Sequence, residues 1–180
     1  MNASIALNRL STDRLVLRPT VPTDTERVFE IQSDWEVTRM LRMASFPPDR
    51  GEIVSWFADH EREWRSGEAY RFAVELRGRL IGVVDIDEIS GEAGELGYWF
   101  EKSAWGHGYA YEAAGAVVNF AFHTVRLSKL LSGHADDNLA SGRVLVKLGF
   151  RRYDTIRKVS SSRRQVIIHH RYMLPSPIRA

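Results

Sequence analysis

The chain has 180 residues, one domain's worth of sequence and enough to bury a real core. With 44% hydrophobic and 27% charged residues it reads as a soluble globular protein, and no apolar run reaches the roughly 18 residues of a membrane span. It has no cysteine, which excludes disulfides, thiolate metal sites and a cysteine nucleophile. Residues Met1 to Ile5 lack a basic stretch leading into an apolar one, so no signal peptide is expected and the protein reads as cytoplasmic. The net charge of +2 hides an asymmetry. Residues 1–150 carry 17 Lys and Arg against 22 Asp and Glu, whereas residues 151–180 carry 8 against 1. The basic end holds Arg151, Arg152, Arg157, Lys158, Arg163 and Arg164. It reads as a solvated edge or, more sharply, as a surface for an anionic partner.

Alternation in DRLVLRP (13–19) predicts a strand that stops at Pro19. Thr23 and Glu26 have capping-box spacing and open a helix through Gln32. Pro47-Pro48-Asp49 starts a second helix, with Ile53, Phe57 and Trp64 on one face, that ends before Gly67. The segment between them has weaker periodicity and reads as loop and short helix. Strands at 70–76 and 80–87 flank Arg77-Gly78-Arg79 as a hairpin, and 95–100 is a third strand. A small-residue helix runs from about Gly108 to His123, followed by a strand at 127–135. Asn138 to Leu148 is a helix closed by Gly149, and strands near 150–158 and 164–174 flank a polar turn. The order β-α-α-β-β-β-α-β-α-β-β gives an α+β chain with a mixed sheet, in a single domain spanning residues 1–180.

Two glycines, Gly106 and Gly108, stand where a strand gives way to a helix. Glycine inside a helix costs about 1 kcal/mol relative to alanine, so their presence calls for a reason. A helix N-terminus offers unpaired backbone N–H groups and partial positive charge, and a phosphate is its natural occupant. The loop lacks the Gly-Lys-Ser/Thr ending of a Walker A motif, and Tyr111 stands where a dinucleotide fingerprint needs its third glycine. Farther on, Ser141, Val144, Leu145 and Leu148 share one helical face, so this serine points inward, and Asn138 is placed to cap that helix.

Four segments in order, TDRLVLRP, GELGYWFEKSAWGHGYAYEA, NLAS and VLVKLGF, carry a resemblance to the Gcn5-related N-acetyltransferase superfamily. Within it the chain is most similar to the ribosomal-protein-alanine acetyltransferase (RimJ/RimL-type) branch. The resemblance implies a central mixed, mostly antiparallel sheet with flanking helices, and acetyl-CoA as acetyl donor. The superfamily's phosphate loop falls on Trp105, Gly108 and Ala110, Trp105 replacing the usual Gln or Arg. The implication is that N–H groups of Gly106, His107, Gly108, Tyr109 and Ala110 hold the pyrophosphate. Tyr98, Trp99 and Phe100 would lie along the pantetheine arm, on a strand that splays from the next one, and Asn138 would also face the cofactor.

With no cysteine to carry an acetyl-enzyme, direct attack by an amine on the thioester is the economical scheme. A base must take the amine proton; Glu95 is the first candidate, with Asp85 and Asp87 in reserve. The superfamily's tyrosine acid falls on Leu145, so Ser141 is the hydroxyl left to protonate the leaving thiolate or bond to it. The histidines lack metal-ligand spacing and no metal is expected. The acceptor would be a small-molecule amine or a protein N-terminus; a homodimer is compatible with the resemblance, and neither membrane nor nucleic-acid partners are expected. The competing readings are a non-catalytic acyl-CoA-binding protein of the same fold and a nucleic-acid-binding module using the basic end.

Overall fold

The computed structural model describes residues 9–41 and 43–177. Eight strands make one sheet: β1 (Leu10–Ser11), β2 (Leu15–Pro19), β3 (Tyr70–Leu76), β4 (Arg79–Ser90), β5 (Ala93–Phe100), β6 (Lys129–Ala135), β7 (Arg151–Ser160) and β8 (Gln165–Pro175). They lie in the order β1-β2-β3-β4-β5-β6-β8-β7, and every neighbouring pair is antiparallel except β5–β6. The α-helices are α1 (Thr25–Gln32), α2 (Trp35–Thr38), α3 (Arg50–Ala58), α4 (His60–Ser66), α5 (Tyr109–Phe120) and α6 (Leu139–Lys147).

Side chains that alternate along each strand sort onto two apolar layers. On one face Leu15, Leu17, Phe72, Val74, Val84, Ile86, Leu96 and Phe100 pack with Ala113, Ala114 and Val117 of α5 and Leu145 of α6. On the other, Ala73 and Leu80 meet Ile31 and Val37, while Val28, Ile53 and Phe57 join α1 to α3; Trp99 touches both groups. The expected mixed, mostly antiparallel sheet with flanking helices is therefore present. Among the described residues, no helix is long and apolar enough to cross a membrane.

The departures are local. The first helix starts at Thr25 rather than Thr23, behind a 3-10 turn at Pro22–Asp24. The Asp24 carboxylate accepts from the Val21 N–H (2.9 Å) and from both ends of the Arg18 guanidinium (2.8 Å each), so it organises this entry in place of the Thr23 hydroxyl. The second helix breaks at Asp59 into α3 and α4, and α2 forms one turn capped by Asp34, which accepts from the Glu36 N–H at 2.9 Å. After Phe120, α5 widens into a π turn, Ala121–Val125, closed by Arg126 at φ 67°.

The feature that positions the site is the parallel pair. β5 and β6 are joined only at Ala93↔Lys129, Gly94↔Leu130 and Glu95↔Leu131. Beyond that, Ser132 Oγ donates to the Leu96 carbonyl (2.8 Å) and the ladder ends. Each strand is held away from the other by its outer neighbour: β5 follows β4 as far as Phe100↔Gly82, and β6 follows β8 as far as Ala135↔His169. The result is a V-shaped gap in mid-sheet.

Candidate active site

Gly108 is the N-cap of α5 at φ 82°, and Gly106 sits at φ 79°; both occupy the left-handed region that favours glycine. A Cβ on Gly106 would meet nothing within 4 Å, and one on Gly108 would find only Arg14 Nη2 at 3.6 Å. The backbone angle, not protein crowding, demands glycine here, and the space before the turn is open. The first bond into the helix is Glu112 N–H to the Gly108 carbonyl (3.1 Å), so the N–H groups of Tyr109, Ala110 and Tyr111 have no acceptor within it.

Arg14 pins the turn. It donates to the His107 carbonyl (3.1 Å), binds Glu112 through Nε (2.7 Å) and lies 4.5 Å above the Tyr109 ring. Burial opposes the Glu112 charge, but bonds from Thr12 and Arg14 outweigh it and hold the carboxyl below its ordinary range. Trp105 spends its indole N–H on the Phe100 carbonyl (2.9 Å), closing the loop between β5 and the turn. His107 is exposed, its ring 5.6 Å from that of Tyr109.

Alternation along β5 sends its side chains to opposite sides of the sheet. Leu96, Tyr98 and Phe100 pack toward α5, and Trp99 packs among α1, α2 and α3. On the α5 side, Tyr98 Oη lies 2.9 Å from Ser141 Oγ and 3.0 Å from the Ser141 carbonyl. Asn138 caps α6 as expected, its Oδ1 accepting from the Ser141 N–H (3.2 Å). Leu145 is fully buried in the core.

On the opposite face stand the carboxylates. Cross-strand register places Arg71 beside Asp85, Asp85 beside Gly97, and Asp87 directly beside Glu95. A Cβ built on Gly97 would collide with Asp85 Oδ1, so the glycine makes room for this carboxyl. Asp85 keeps some exposed surface, yet burial pushes its carboxyl up to about 7. The charges of Asp87 and Glu95 add to the rise; Arg71 and the Gly97 N–H oppose it. Arg71 is itself buried, paired with Glu63 and 3.9 Å from Asp87. Glu95 marks the last β5–β6 pair, at the apex of the gap, and Asp85 overlies the first residue but one beyond it. Among the described residues, no group of three His, Cys, Asp or Glu is placed to hold a metal ion.

A sequence model described as the acetyltransferase (GNAT) domain matches residues 14–151. The chain belongs to the GNAT acetyltransferase family. It is an acetyl-CoA-dependent N-acetyltransferase by family, and curated relatives are named N-acetyltransferases. A probable N-acetyltransferase, YjcK of Bacillus subtilis, is 30% identical over 153 residues, covering 80% of this chain and 84% of that one. The uncharacterized N-acetyltransferase YoaA of the same organism is 29% identical over 153 residues, covering 83% and 86%. Among solved structures, the ribosomal L7/L12 alpha-N-protein acetyltransferase RimL, in complex with coenzyme A, superposes with a TM-score of 0.85 at 14% identity, covering 94% of this chain and 98% of that one. RimJ of Mycobacterium smegmatis superposes at 0.79 with 22% identity, covering 89% and 81%, and at these identities the likeness is one of fold.

One contact beside α6 has no signal in any single segment of the sequence. The tip of the β7–β8 hairpin reaches back to the α2 turn: Ser162 Oγ donates to the Leu41 carbonyl (2.9 Å) and Arg163 Nε to the Arg39 carbonyl (2.6 Å). Asp137, next to the cap residue of α6, receives two bonds from Arg163 and one from Arg39, all 2.9 Å. Those bonds, from Arg163 foremost, hold its carboxyl below the ordinary range, although burial opposes them. The sequence groups Arg163 with a solvated basic edge, but its side chain is only 9% exposed and serves this clasp.

Proposed function

We propose that the protein moves the acetyl group of acetyl-CoA directly onto a primary α-amine, with donor and acceptor entering the β5–β6 gap from opposite faces of the sheet. The single observation that carries this reading is the gap itself, with a phosphate-ready glycine turn and the Tyr98–Ser141 hydroxyls on one side and carboxylates on the other. The N–H groups around Gly106, His107, Gly108, Tyr109 and Ala110 would take the pyrophosphate, and the stretch of Tyr98, Trp99 and Phe100, unpaired by β6, would take the pantetheine. Trp105 and Asn138 serve this arm by bracing its supports.

The amine nitrogen attacks the thioester carbonyl carbon and loses a proton to a carboxylate. The C–S bond then breaks, its electron pair staying on sulfur. A catalytic base works best with a pKa near the operating pH. That favours Asp85, raised toward neutrality by its burial over Gly97, with Asp87 and Glu95 as negative neighbours that add to the rise. Glu95, the base expected from the sequence, thereby acts through Asp85.

A base near neutrality also selects the acceptor. An α-amine titrates near 8, within reach of such a base, whereas a lysine-like amine near 10.4 is almost wholly protonated at neutral pH. The carboxylates would also repel an acceptor that carries its own carboxylate close to the amine. A peptide N-terminus fits both conditions, and the protein amine acceptor named for the RimL structure is consistent with them. A panel of short peptides with free N-termini, the matching free amino acids and a polyamine, followed by CoA release and mass of the product, tests this. Peptides should be acetylated at the α-nitrogen with kcat/KM at least tenfold above the free amino acids. Preference for the polyamine or the free amino acids would refute the assignment.

A further inference from the structure

The contact between β5 and α6 assigns a partner to Ser141. We propose that Tyr98 is the positioning residue that turns the Ser141 hydroxyl into a hydrogen-bond donor for the departing thiolate, and that neither hydroxyl gives up its proton. This rests on the acetyl-transfer reading above.

Tyr98 Oη is 3.0 Å from the Ser141 carbonyl and 2.9 Å from Ser141 Oγ. The carbonyl can only accept. When the phenol proton lies on that carbonyl, the bond between the two hydroxyls must use the serine proton, which is then occupied. When the phenol proton turns to Oγ, the serine proton is free to point at a third atom. Rotation of one phenolic O–H therefore switches Ser141 between the two states. Its backbone is fixed meanwhile by Asn138 Oδ1, and Leu145, one turn on, is sealed in the core and leaves no room for a hydroxyl from that position.

Acidity decides between bonding and proton transfer. A free thiol titrates near 8.5, and an aliphatic hydroxyl is a far weaker acid. Burial drives the Tyr98 phenol well above its ordinary value; its bond with Ser141 opposes this and Tyr172 adds to it. Transfer from either oxygen to sulfur is uphill. Donation without transfer is not, and a charged acceptor in a low-dielectric site strengthens it. In the full balance the C–S bond breaks, its pair stays on sulfur, the amine proton resides on Asp85, and the thiolate takes its proton from solvent after release.

A double-mutant cycle tests the proposal. Without the phenol proton to orient it, the serine hydroxyl turns back to a carbonyl of the preceding turn. Tyr98→Phe and Ser141→Ala should therefore each lower kcat for acetyl-CoA by roughly 10- to 100-fold, the worth of one bond to a charged group. The double variant should be no slower than Ser141→Ala. Each deficit should disappear with the acetyl thioester of 4-nitrothiophenol as donor, whose thiolate leaves unaided. Melting temperature and acetyl-CoA affinity should move little. Multiplying deficits in the double variant, full turnover in Tyr98→Phe, or an undiminished deficit with the activated donor would overturn it. Should Tyr98→Phe fold poorly, replacing Tyr98 by 3-fluorotyrosine, a stronger donor to Ser141 Oγ, should raise kcat for acetyl-CoA and leave it unchanged with the activated donor; the same response with both donors would overturn the proposal. If the wild-type enzyme acetylates no amine, the functional reading itself fails, before any variant is compared.

Discussion

Asp85→Asn is expected to lower kcat by roughly 10²–10⁴ while leaving acetyl-CoA affinity nearly unchanged, because the variant keeps the shape but cannot accept the amine proton. In the wild type, kcat/KM should rise with pH through about 7, where the Asp85 carboxyl ionises. Glu95→Gln should behave differently. Removing a negative neighbour lowers the Asp85 pKa, so the acidic limb should move below its wild-type position with most of the maximal rate retained. If Glu95→Gln takes the large loss and Asp85→Asn does not, the proton goes to Glu95. Linkage supplies an independent check. A carboxyl raised in the folded state from its ordinary 3.8 contributes stability that is present below about pH 4 and lost as pH rises through 7. The melting-temperature gain of Asp85→Asn over wild type should therefore be small near pH 4 and larger at pH 8.

Gly108→Val should weaken acetyl-CoA binding about 100-fold, or ~2.8 kcal/mol, in a calorimetric titration. Two effects combine. At φ 82° a β-branched residue is a backbone outlier, and its side chain would fill the open space before the α5 N-terminus. The fold should survive, since the nearest protein atom to the new Cβ is the end of a flexible Arg14 at 3.6 Å. Unchanged affinity would remove the phosphates from this turn.

These two sites were legible in the sequence to different degrees. The glycine turn was readable because glycines at a helix start need a local reason, and the φ values of Gly106 and Gly108 supply it. The inward face of α6 followed from periodicity alone: Leu145 is buried and Ser141 faces Tyr98. Thr23 misled because a capping-box spacing overlapped an aspartate that Arg18 could recruit from the neighbouring strand. Asp85 was visible as a reserve carboxylate, but its raised pKa comes first from burial over Gly97 and then from the charges of Asp87 and Glu95, and the cross-strand register behind both is not written in any one segment. The clasp is the extreme case. Arg39 and Asp137 are 98 residues apart, and no local pattern announces their meeting.

On the proposed mechanism both substrates occupy the β5–β6 gap together and the acetyl group passes directly between them. Initial rates with acetyl-CoA and a peptide amine varied jointly test it most directly. Direct transfer predicts intersecting lines in the double-reciprocal plot, with CoA released only when the amine is present. Parallel lines, the signature of an acetyl-enzyme intermediate, would contradict it.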